Sequence, residues 1–87
     1  MADRYRDYVR GLTAPAVGAF MVTPSDSTDL PQVTRAIYCG GTGDISVVMR
    51  SGETVTFSAV QAGTVLPIEA VRVRATGTTA SNLVGLY

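Results

Sequence analysis

The stretch "DISVVMRSGETVTFSAV" (Asp44 to Val60) decides the fold. Its second half alternates, with Val55 and Phe57 set between Thr54, Thr56 and Ser58. Alternation with period two places one set of side chains on each face of a β-strand. The apolar run "DISVVM" precedes it, and "RSGE" between the two carries the glycine of a tight turn. Strand, tight turn and returning strand make a β-hairpin.

Working outward, the same pattern recurs. On the N-terminal side, "GGTG" (Gly40 to Gly43) reads as a turn, since glycine tolerates positive φ. "TRAIYC" before it is a strand with Arg35, Ile37 and Cys39 on one face and Ala36 and Tyr38 on the other. "AFMVT" (Ala19 to Thr23) is a shorter one. On the C-terminal side, "QAG" turns the chain into "TVLPIEA", whose Pro67 cannot donate a ladder hydrogen bond and so belongs at an edge or a bulge. "VRVRAT" alternates, which puts Val71, Val73 and Ala75 inward and Arg72, Arg74 and Thr76 outward. After the hydroxyl-rich "GTTAS", "NLVGLY" is the last strand. Tyr38 and Phe57 are expected in the core. About seven short strands with frequent turns predict an all-β fold, a small antiparallel β-sandwich or small barrel with an N-terminal arm. The arm is placed at residues 1–18 and the β domain at 19–87.

The arm, "DRYRDYVRGLTAPA", sets Tyr5, Tyr8, Val9 and Leu12 at i, i+3, i+4 and i+7, a single apolar stripe if helical. Gly11 interrupts the pattern, Pro15 stops it, and the segment is too short to be stable alone. It is therefore expected to be ordered by whatever it docks on. Tyr5, Tyr8 and Leu12 are its candidate anchors, because large amphipathic side chains are favoured at interfaces.

A chain of 87 residues can bury only a small core. One cysteine excludes an internal disulfide, and with no histidine a structural zinc site has no ligand set. Oligomerisation is the remaining route to extra stability. The seven basic and seven acidic residues cancel, which excludes the basic excess of a nucleic-acid partner. All the basic residues are arginine, the cation preferred in protein–protein contacts. Arg72 and Arg74 are candidate contacts to carboxylates of a neighbouring subunit. No apolar run is long enough to span a bilayer as a helix. "MADRYRDYVR" is too charged for a signal peptide, so synthesis in the cytoplasm with Cys39 reduced is expected.

Catalytic chemistry has few candidates. There is no histidine for a base near neutral pH and no lysine for a Schiff base. Cys39 lies mid-strand on an apolar face, where it serves as a small hydrophobe. The one close carboxylate pair is in "TPSDSTDLP" (Thr23 to Pro31), where Asp26 and Asp29 stand among hydroxyls between two prolines. Such a pair could serve acid–base chemistry or a cation. Asp and Ser are also the residues of self-hydrogen-bonded turns, and a rigid connector built on local backbone bonds is the expectation. No cofactor, no metal and no enzymatic activity are expected.

Several segments together resemble one family: "GLTAPA", "VTPSDSTDLP", "TRAIYCGGTGDISV", "VTFSAVQAGTVLPI" and "VRVRATGTTASNLVGLY". They are similar to the small spike base proteins of bacterial gene transfer agents and related prophages. "TPSDSTDLP" and "RATGTTASN" are the most specific pieces, and the resemblance spans nearly the whole chain. It implies a structural protein on the exterior of a phage-like particle, seated at capsid vertices and carrying a receptor-binding fibre. A homo-oligomeric ring, five-fold by match to the vertex, would follow, with capsid protein and spike fibre as partners. The resemblance brings no catalytic motif. A carbohydrate-binding module on the particle surface is the alternative, though the chain has no tryptophan to stack on a sugar ring.

Overall fold

The computed structural model describes residues 15–87, and the expected anchors Tyr5, Tyr8 and Leu12 lie outside them. Seven strands form: β1 (Ala19–Met21), β2 (Ala36–Gly41), β3 (Gly43–Met49), β4 (Thr54–Val60), β5 (Thr64–Leu66), β6 (Ala70–Val73) and β7 (Ser81–Leu86). They make two antiparallel sheets, one of four strands in the order β1-β7-β2-β5 and one of three in the order β4-β3-β6. The all-β expectation holds, in the sandwich form.

The inward positions of both sheets supply one core. Ile37, Cys39 and Leu83 from the larger sheet meet Ile45, Val47, Val60, Ala70 and Val73 from the smaller. Cys39 is fully buried, as a small hydrophobe would be. Its thiol sits 3.2 Å from the Gly41 carbonyl oxygen.

The β3–β4 hairpin forms as expected, turning at Gly52 with φ of 104°. One end carries a bulge: the register shifts between Gly43 and Ile45, and Ala59 takes a positive φ of 54°. The Asp44 carboxylate accepts the Ala59 N–H at 2.8 Å, which holds this unfavourable conformation in place. β5 is an edge strand with Pro67 just past its end, so the missing donor costs no ladder bond.

Three expectations change. "GGTG" is no hairpin turn: β2 and β3 lie in different sheets, and only Thr42 separates them, so the chain passes directly from one layer to the other. None of Gly40, Gly41 and Gly43 has a positive φ. They are needed because the 79–82 segment runs close by. A Cβ on Gly40 would fall 2.6 Å from the Asn82 carbonyl oxygen, and one on Gly43 would fall 2.5 Å from the Ala80 nitrogen. Secondly, "VRVRAT" does not alternate throughout. Val47 pairs with Val73, Val48 with Arg72 and Met49 with Ala70, so Val71 is an extra residue in β6. Ala70 and Val73 take the core positions, Val71 is half-buried, and Ala75 is exposed beyond the strand end. Thirdly, Tyr38 is 38% exposed on the outer face of the larger sheet, because its neighbours Ile37 and Cys39 occupy the inward positions. Phe57 is half-buried and packs against the core.

Candidate functional site

The two carboxylates of "TPSDSTDLP" are held by partners distant in sequence. Asp26 accepts the Thr76 N–H at 3.0 Å and the Thr76 hydroxyl at 2.7 Å. The Arg74 guanidinium lies 3.8 Å away. Asp29 accepts from Arg72 through Nε at 2.9 Å and faces Nη2 at 2.8 Å. Arg72 Nη1 also donates to the Asp26 carbonyl oxygen at 3.2 Å. The Thr76 N–H first, then its hydroxyl, and less so Arg74, hold the Asp26 carboxyl below its ordinary value of 3.8. The local turn is made by Ser25, whose hydroxyl accepts the N–H groups of Ser27 and Thr28. The expected self-bonded turn exists, but its acceptor is Ser25 and neither aspartate serves it.

The backbone shows what this segment does. Ser25 N donates to the Val73 carbonyl, Leu30 N to Val71 and Thr34 N to Ala70. Residues 25–34 therefore run along the outer edge of β6, and the two Asp–Arg contacts clamp them there. Thr34 is buried, donates its hydroxyl to the Ile68 carbonyl at 3.0 Å and accepts the Ala70 N–H at 3.0 Å. The arrangement occupies both carboxylates with the chain's own cations and hydroxyl. It brings no third acid or base beside them, and among the described residues no three of His, Cys, Asp and Glu are grouped to hold a metal ion. Arg72 and Arg74, expected to reach a neighbour's carboxylates, are paired here with those of their own chain.

A second Thr-rich loop, residues 76–79, folds over the smaller sheet. Thr78 Oγ1 accepts the Ser46 N–H at 3.0 Å, and Thr79 Oγ1 accepts the Asp44 N–H at 2.8 Å. The depression lined by Met49, Arg50, Ser51 and Glu69 is shallow and open, and Arg50 Nη1 reaches Glu69 Oε1 across it at 2.9 Å. Neither place converges several polar groups on one point.

The outer face of the four-stranded sheet is different in character. The register puts Met21 opposite Val84, Val84 opposite Tyr38 and Tyr38 opposite Val65. One apolar row thus crosses all the strands, with Met21 67%, Val65 50% and Tyr38 38% exposed. Leu86 and Ala36 form the next row beside Ala19. Strand-by-strand reading did not single this face out. Its signal was present: "AIYC" and "NLVGLY" are apolar at both parities, the pattern of strands covered on both sides.

One comparison with known proteins identifies relatives. A chain in the solved structure "Capsid of native GTA particle computed with C5 symmetry" is 44% identical to this one and superposes with a TM-score of 0.77. The match covers 85% of this chain and 86% of that chain. No family model matches, and no curated protein does.

Proposed function

We infer from one premise — the chain belongs to a family of structural proteins of gene transfer agent (GTA) capsid particles — that it is the base of a head spike. In this reading it sits on the exterior of the particle at the capsid vertices and anchors a receptor-binding fibre. The supporting observation is the 44% identical chain resolved in a capsid with C5 symmetry. A capsid has its five-fold axes at the vertices, and a closed ring of five copies matches such an axis without strain. The resemblance of "TPSDSTDLP" and "RATGTTASN" to spike base proteins favours the spike over other vertex parts.

The chain works through surfaces in this role, and catalysis plays no part. Its acidic loop closes a sheet edge, its cysteine fills the core, and among the described residues an apolar sheet face stands without a partner. The test is deletion of the gene followed by composition analysis of purified particles. Closed heads that lack both this chain and the fibre protein are expected. Particles that keep a normal complement of fibre without it would overturn the anchoring role.

A further inference from the structure

We propose that residues 4–12 of one copy dock on the outer face of the four-stranded sheet of the next copy in the ring. This rests on the ring reading above and names the contact that would build it. The receiving surface is the uncharged row Met21, Val84, Tyr38 and Val65, with Leu86 and Ala36 beside it. It is unpartnered among the described residues: Met21, Tyr38 and Val65 stand exposed and Val84, Leu86 and Ala36 are half-buried, where a cover would shield them.

The occupant follows from the length of chain outside the described part and from where that part begins. Fourteen residues precede Pro15. Val17 N and Gly18 N donate to the Tyr87 carbonyl, and Tyr87 N donates back to Gly18. This pairing extends the β1–β7 ladder past the end of the sheet, so the arm leaves from the border of the apolar face. At Pro15 the described chain has already run past the end of that face along the line of β1.

Size and chemistry agree. Residues 4–12 in helical form would span about 14 Å. Three interstrand spacings across the sheet come to about 14 Å. The stripe Tyr5, Tyr8, Val9 and Leu12 would meet the uncharged rows, leaving Arg4, Arg6, Asp7 and Arg10 for solvent. Arm on one side and face on the other make a heterologous contact, the kind a five-fold ring requires and a two-fold dimer does not.

Full-length protein in sedimentation velocity tests this. Wild type is expected to assemble with rising concentration. An arm variant, Tyr8→Asp with Leu12→Asp, and a face variant, Tyr38→Asp, are each expected to stay monomeric at tenfold higher concentration with the β-type circular dichroism of wild type. Val65→Lys, at a half-exposed edge position, replaces Tyr38→Asp if the latter fails to fold. An equimolar mixture of arm and face variants should form a dimer and nothing larger, since one intact arm meets one intact face. Wild-type assembly that survives both variants would overturn the arm contact and leave the ring standing. Monomeric variants whose mixture forms no dimer would also overturn it. A wild type that stays monomeric throughout would overturn the contact and the ring together.

Discussion

The two edges of the three-stranded sheet are treated in opposite ways. Beside β6, residues 25–34 donate backbone N–H groups to Val73, Val71 and Ala70 and are clamped by Asp26 and Asp29. Beside β4, no strand lies on the outer side among the described residues. That edge has only the Ala59 bulge at one end, and Thr54 to Ser58 present no charge and no proline. Exposed strand edges invite pairing with other chains, and proteins restrain them by covering, bulging or charging them. The polar segment that most resembled a chemical site is thus a cover for an edge. The surfaces left for partners are the plain ones: an apolar face and an uncharged edge.

The largest expected effect comes from removing the buried polar link of the cover. Thr34→Val keeps the shape but strands the Ala70 N–H and the Ile68 carbonyl, a loss of about 2–3 kcal/mol by chemical denaturation. A loss under about 0.5 kcal/mol would mean that the cover adds nothing to the fold.

Next come the ion pairs. The Arg72 side chain is 30% exposed and makes two contacts to Asp29 and one to the loop backbone. Arg72→Ala should cost about 1 kcal/mol. Arg50→Ala removes a single contact to Glu69 between side chains 68% and 53% exposed and should cost less than about 0.5 kcal/mol. Equal effects would erase the distinction between a clamp and a surface pair.

Acid should report the clamp separately. The folded Asp26 carboxyl titrates below its ordinary value of 3.8, chiefly through its bonds from Thr76. Its stabilising effect is therefore present above that value and is lost as pH falls through the lower folded one. Asp26→Asn keeps an acceptor for Thr76 N but has no such titration. The stability difference between wild type and Asp26→Asn should shrink on acidification below about pH 4. A difference that grows in acid would contradict this assignment.

The smallest effect is expected at the bare edge. Thr54→Lys places a charge on exposed β4 and should change stability by less than about 0.5 kcal/mol. A loss as large as that of Thr34→Val would show that this edge is covered after all.

The parts legible in the sequence are those governed by local pattern. "TVTFSAV" and "RSGE" revealed the hairpin because alternation and a turn glycine are properties of adjacent residues. Pro67 marked an edge for the same reason. Gly40 to Gly43 misled because glycine serves both positive φ and close approach, and sequence does not distinguish them. The partners of Asp26 and Thr34 lie 50 and 36 residues further on, out of reach of local pattern. Val71 broke the alternation of "VRVRAT" because its register is set by the neighbouring β3.

Electron cryomicroscopy of purified particles, with the chain carrying a compact C-terminal tag, tests the proposed place most directly. Tag density outside the shell at the five-fold vertices, in five copies around each occupied axis, is the predicted result. Tag density confined to the tail or to the capsid interior would contradict it.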